Sequence, residues 1–196
     1  MRILCLHGYH GSGRILREQM RPLVQGMPPL AEFVYLDAPS LATGDFGWWH
    51  HNFQGWQRTR DAIVALFARE PRFDGVFGFS QGAALTSLLV GLRGPHGQVS
   101  ASQPLSFDFA VMVGGFRSDH ADHAHLYAAK DSYTLPSLHI IGQADRIVPA
   151  RDSRILAATF TSPTVLEHAG GHVIPNTPHI QYGFADFLKQ AANRFS

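Results

Sequence analysis

The stretch Phe73-Asp74-Gly75-Val76-Phe77-Gly78-Phe79-Ser80-Gln81-Gly82-Ala83-Ala84 decides the reading of this chain. Phe73 to Phe79 reads as a strand that is apolar on both faces, and Ala83 to Leu92 as an apolar helix directly behind it. Between them stands Gly78-Phe79-Ser80-Gln81-Gly82. As a bare string, G-x-S-x-G is a weak signal. Between a strand and a helix it has the form of a nucleophile elbow. The turn is so tight that side chains at 78 and 82 would strike the neighbouring strand and helix, which accounts for both glycines. Ser80 then sits at the apex, its hydroxyl above the sheet and the helix N-terminus behind it.

A serine hydroxyl is a poor nucleophile without a base, and in this kind of fold the partners follow in chain order, acid before histidine. Two later segments fit. Asp145 lies in Gly142-Gln143-Ala144-Asp145-Arg146-Ile147-Val148-Pro149, after an apolar run at Leu138 to Ile141. His172 lies in Gly170-Gly171-His172-Val173-Ile174-Pro175, after a short strand at Thr164 to Leu166. Both positions are at the C-terminal ends of strands, on the edge where open α/β sheets bind ligands. His168 competes with His172 but lies nearer its strand. Asp108 opens a strand and so faces the opposite edge, and Asp131 sits in the irregular segment before the fifth strand. Ser80, Asp145 and His172 are therefore the expected catalytic set. The expected oxyanion donors are the amides of Gln81, next to the nucleophile, and Tyr9, in the loop after the first strand. His7 in the same loop is expected to brace that loop by hydrogen bonds.

The rest of the chain alternates in the same way. Ile3 to Leu6 reads as a buried strand leading into His7-Gly8-Tyr9-His10-Gly11-Ser12-Gly13, with Ser12 capping a helix to about Val24. Further strands are expected at Phe33 to Leu36 and Phe107 to Val113. Helices are expected at Gln54 to Ala68, Arg151 to Phe160 and His179 to Asn193. Loops are expected from Ser40 to Asn52 and from Arg93 to Ser106, and a polar, histidine-rich segment with one short helix from Ser118 to Leu135. Strands alternating with helices imply a parallel sheet covered on both faces, in one domain over 1–196.

Composition removes other classes. Among 196 residues, 45% are hydrophobic and 16% charged, a globular balance. Sixteen Lys+Arg against 15 Asp+Glu leave a net charge of +1, which excludes a basic nucleic-acid footprint. A single cysteine excludes an internal disulfide and a Cys-cluster metal site, and fits a reducing compartment. The longest nearly apolar stretch, Gly82 to Leu92, is well short of the roughly 20 residues of a membrane span. No secretory leader is legible, so a cytoplasmic location is expected. The run His120-x-x-His123-x-His125 lacks a standard zinc spacing and is read as a solvated or lid-like segment. Gly8, Gly11 and Gly13 followed by Asp37 imitate a dinucleotide-binding unit, but the spacing is G-x-x-G-x-G and leaves the elbow unexplained.

Leu6-His7-Gly8-Tyr9, Gly47-Trp48-Trp49, the stretch from Phe73 to Ala84, and Gly171-His172-Val173-Ile174-Pro175 together resemble the FSH family of serine hydrolases, over nearly the whole chain. The resemblance implies a compact α/β-hydrolase fold, a mostly parallel central sheet flanked by helices without a large lid domain. It implies hydrolysis of carboxylic esters or thioesters, with Ser80, Asp145 and His172 in the family's catalytic positions and no cofactor or metal. Release of an acyl or polyketide chain, or acyl transfer, would use the same residues. Two departures bear on the substrate: Gly11 stands where the family often has a polar residue such as Gln, and the loop around Trp48 is short. Trp48, Trp49, Phe79, Phe116, Ile147 and Val173, with Phe53 beside them, are expected to form an apolar acyl pocket at the catalytic edge.

Overall fold

Four apolar runs form the middle of one six-stranded sheet, and their burial explains their composition. β1 (Arg2–Leu6), β3 (Gly75–Phe79), β4 (Phe109–Val113) and β5 (Ser137–Gly142) are buried along nearly their whole length. β2 (Glu32–Leu36) and β6 (Pro163–His168) close the edges and are only partly buried. The order is β2-β1-β3-β4-β5-β6 and every pairing is parallel. A sheet of this kind must be covered on both faces. The computed structural model describes residues 1–39, 46–94, 98–128 and 130–195. Parts of the expected loops at Ser40 to Asn52, Arg93 to Ser106 and Ser118 to Leu135 lie outside the described residues.

The two faces carry separate cores. On one, α1 (Gly13–Val24) and α6 (Pro178–Phe195) cover Ile3, Cys5, Phe77 and Val111 with Leu16, Met20, Ile180 and Phe184. The Ser12 hydroxyl caps α1 by accepting the Ile15 N–H at 3.2 Å. On the other face, α2 (Trp56–Arg69), α3 (Gln81–Gly91) and α5 (Ala150–Ala157) cover Leu4, Leu6, Ala110 and Met112 with Ile63, Leu85, Leu88 and Leu156. All eleven residues of α3 are buried, so this helix is apolar all round. A one-turn α4 (Ala124–Tyr127) lies in the histidine-rich segment.

Phe73 and Phe107 fall just before β3 and β4 rather than within them. At Phe73 the reason is a tie to β1, 72 residues away in the chain. Asp74 turns back on Arg2, its carboxylate accepting the Arg2 N–H at 2.7 Å and its own N–H bonding Arg2 O at 2.8 Å. Both phenylalanines pack against Phe67 of α2. No helix among the described residues is long and apolar enough to cross a membrane.

Candidate active site

Ser80 sits between β3 and α3 at φ 55° and ψ −118°, a strained backbone for a non-glycine residue. The strain is held from both sides. Ser80 N–H donates to Val113 O at 2.9 Å, and Ser80 O accepts the N–H groups of Ala83 and Ala84. A Cβ at Gly78 would collide with the backbone of Gly82, and one at Gly82 with the carbonyls of Leu6 and His7. The elbow exists in this form because both flanking positions lack side chains.

Asp145 follows β5. Its Oδ1 accepts the N–H groups of Ile147 and Val148, both at 2.9 Å, which leaves Oδ2 facing His172 Nδ1 at 2.6 Å. The side chain is only 2% exposed. His172 stands in the loop after β6, and that loop is tied to the Asp145 loop by Gln143 N–H to His168 O and Ala144 N–H to Gly170 O. The imidazole packs beside the Phe79 ring, centroids 5.0 Å apart, and over Gly114, whose φ of +55° and missing Cβ make room for it. A carboxylate only accepts, so Nδ1 carries the ring proton and donates to Asp145. Nε2 is then an acceptor, 2.8 Å from Ser80 Oγ. A hydroxyl, an imidazole and a carboxylate in this series can generate a nucleophile at neutral pH.

The competing groups are engaged elsewhere. Asp108 pairs with Arg72 at the opposite edge of the sheet, and His168 Nδ1 accepts the Gly170 N–H at 3.1 Å within its own turn. Asp37, the would-be ribose acid, accepts the Gly13 N–H at 2.7 Å and so joins β2 to α1. His7 is fully buried. Its Nε2 accepts the Ala38 N–H at 3.0 Å, so Nδ1 carries the proton and donates to Gly8 O at 2.7 Å. Burial holds its pKa below the usual histidine value.

Beside Ser80 opens a cleft of about 680 Å³. Tyr9 and Gln81 line it with Ser80, and so do Phe116 and Ile147 from the expected pocket. The other expected lining residues do not. Trp48 and Trp49 are 1% and 6% exposed and belong to the core beneath the site. Trp48 is held there by its indole N–H donating to His7 O, and Trp49 by stacking on Phe53. Phe79 is spent on the His172 ring, and Val173 is half exposed outside the cleft. The apolar wall comes instead from Val148, Pro149 and Ile155, with Arg117, Asp119 and Asp152 at its polar side. A sequence signal for these existed. Ile147-Val148-Pro149 is an apolar run one residue beyond Asp145, and Ile155 is a large apolar residue directly after the polar run Arg151-Asp152-Ser153-Arg154.

In the histidine-rich segment Asp122 and His125 are exposed as expected, but His123 is not. His123 is 1% exposed, packed edge-on to Phe53 and Trp56, with Ser118 Oγ at 2.8 Å from Nδ1. Burial and the neighbouring His120 push its pKa down to about 4. Among the described residues no group of three or more His, Cys, Asp or Glu is arranged to hold a metal ion.

A family model described as Serine hydrolase (FSH1) matches residues 1–182. Among curated proteins, Esterase OVCA2 of Danio rerio is 32% identical and covers 97% of each chain. Esterase CG5412 of Drosophila melanogaster is 30% identical over all of this chain and 76% of its own. Among solved structures, Zea mays acyl-protein thioesterase 2 superposes with a TM-score of 0.69 at 19% identity, over 97% of this chain and 93% of that one.

Proposed function

The chain belongs to the FSH1 serine hydrolase family and has the α/β-hydrolase fold, and from that premise we propose that it cleaves carboxylic esters or thioesters through an acyl-enzyme formed on Ser80. The single observation that carries this reading is the series Ser80 Oγ, His172 Nε2 at 2.8 Å, and His172 Nδ1 with Asp145 Oδ2 at 2.6 Å.

In the first half-reaction His172 Nε2 takes the Ser80 proton while Oγ bonds to the substrate carbonyl carbon. Asp145 keeps the imidazole in the required tautomer and stabilises its charged form. The amides of Tyr9 and Gln81 receive the developing oxyanion. Gln81 is the first residue of α3, so its N–H has no partner within the helix. The carbonyl re-forms, the C–O or C–S bond breaks, and the leaving alcohol or thiol takes the proton from His172. In the second half-reaction a water gives its proton to His172 and attacks the acyl carbon, and Ser80 departs with that proton. The apolar wall of Phe116, Ile147, Val148 and Ile155 is where the acyl chain lies in this reading. We also place the protein in the cytoplasm, a reading supported by its one cysteine being a buried free thiol.

Hydrolysis of matched ester and thioester series of increasing acyl length tests the function. The expected outcome is saturable turnover that is abolished in Ser80→Ala. Turnover that survives Ser80→Ala would overturn it.

A further inference from the structure

Tyr9 lies in the loop after β1 and Gln81 at the N-terminus of α3, and something must hold them in register to within a fraction of an ångström for both to meet one oxygen. The buried groups between that loop and the helix start form a continuous chain of hydrogen bonds. The Gln81 side chain spans Trp48 and Trp49, its Oε1 accepting the Trp48 N–H and its Nε2 donating to Trp49 O, both at 2.9 Å. The Trp48 indole N–H donates to His7 O at 2.7 Å, and the His7 and Trp48 rings lie 4.8 Å apart. His7 Nδ1–H donates to Gly8 O at 2.7 Å, and the same oxygen accepts the Gly11 N–H at 3.0 Å. The loop is stitched once more by His10 N–H to Phe46 O at 2.7 Å.

The last link has a geometric consequence. A peptide group is planar and trans, so its C=O and N–H point to opposite sides. Two donors on Gly8 O therefore fix the direction of the Tyr9 N–H, which belongs to the same peptide. Gly8 itself is so close to the nucleophile that a Cβ there would stand 3.2 Å from Ser80 Cβ. We propose that His7, Trp48 and the Gln81 side chain are positioning residues that lock the Tyr9 and Gln81 amides into one rigid oxyanion site. This rests on the hydrolase reading above and adds a role for the paired tryptophans that acyl binding does not supply.

The two nitrogens of His7 are separable by substitution. In His7→Asn the amide Nδ2–H takes the place of Nδ1–H and still reaches Gly8 O, while the Ala38 N–H loses its acceptor. In His7→Gln the side-chain Oε1 takes the place of Nε2 and keeps Ala38, while Gly8 O loses its side-chain donor and keeps only the Gly11 N–H. Steady-state kinetics on a short-chain chromogenic ester, with melting temperature measured for each variant, distinguishes them. The expected result is a kcat about 10- to 100-fold lower in His7→Gln, KM within about twofold of wild type, and substantial recovery of kcat in His7→Asn. Trp48→Phe, which keeps an aromatic side chain but deletes the pyrrole ring with its N–H donor, should lower kcat about tenfold at unchanged KM. Equal kcat losses in His7→Gln and His7→Asn, or losses that only track lowered melting temperature, would overturn the positioning role. If neither His7 variant folds, Trp48→Phe decides alone, and wild-type kcat in it overturns the proposal. A wild-type protein that never acylates Ser80 is a different result and removes the hydrolase reading itself.

Discussion

Asp145 Oδ1 is already occupied by two backbone N–H groups, so Oδ2 is the atom left to set the state of the His172 ring. That division predicts the effect of Asp145→Asn. The amide oxygen can keep the Ile147 and Val148 N–H bonds, so the loop should hold its shape. The amide NH₂ then faces His172 Nδ1, which must become an acceptor. Nε2 would carry the proton, and Ser80 would lose its base. The expected result is a kcat lower by about 10⁴ with only a small change in melting temperature. A loss below about tenfold would show that Asp145 does not set the ring tautomer. Ser80, Asp145 and His172, which the structure brings within hydrogen-bond distance of one another, stand out in the sequence because each follows a strand in the order Ser, Asp, His. The roles of the twelve histidines were harder to read. His7 and His123 are buried and hydrogen-bonded, and no local pattern announces this, because burial of a loop side chain is decided by what packs over it.

At the scale of elements, the loop after β5 and the short helix α5 form one unit with two jobs. The loop supplies Asp145, and Ile147, Val148 and Ile155 supply the apolar wall of the cleft. Ile147 is 73% and Ile155 45% exposed, so neither contributes much to the core. The double variant Ile147→Ser, Ile155→Ser should therefore keep its melting temperature within a few degrees. Its kcat/KM should fall for long acyl chains and stay near wild type for acetyl esters. Unchanged chain-length preference would show that acyl groups do not lie along this wall. The contrast with Trp48 and Trp49 shows where sequence reading stops. Adjacent tryptophans in a loop after β2 suggest the lining of an acyl pocket. In the fold, that loop is turned inward by Gln81 and Thr59, and the indoles become core. Non-local hydrogen bonds of this kind span more than thirty residues in the case of Gln81 and leave no periodicity to detect. The strands and helices were legible because their apolar runs match what a doubly covered parallel sheet requires, with boundary shifts of a few residues such as those at Phe73 and Phe107.

The whole molecule carries a linkage between pH and stability that follows from its buried histidines. Burial pushes His139 down to about 3 and, together with His120, His123 down to about 4, while His7 and His168 are lowered in the same direction. In the unfolded chain these rings titrate near 6.5. On acidification the unfolded state binds protons first, so stability rises with pH across this interval and is lost as pH falls from about 6.5 towards about 4. Melting temperature should fall steadily between pH 7 and pH 4.5, and the slope should be shallower in His139→Leu, which removes one of the rings. A pH-independent melting temperature over that range would contradict the lowering of these rings' pKa values by burial in the folded state.

The central claim is that this fold brings Ser80 to His172 and Asp145 as an activated nucleophile, and intact-mass analysis after treatment with a fluorophosphonate tests it most directly. One covalent adduct is expected on the wild-type chain, at Ser80, and none on a folded Ser80→Ala variant. A folded wild-type chain that takes up no adduct, or a Ser80→Ala variant labelled as fast as wild type, would contradict it.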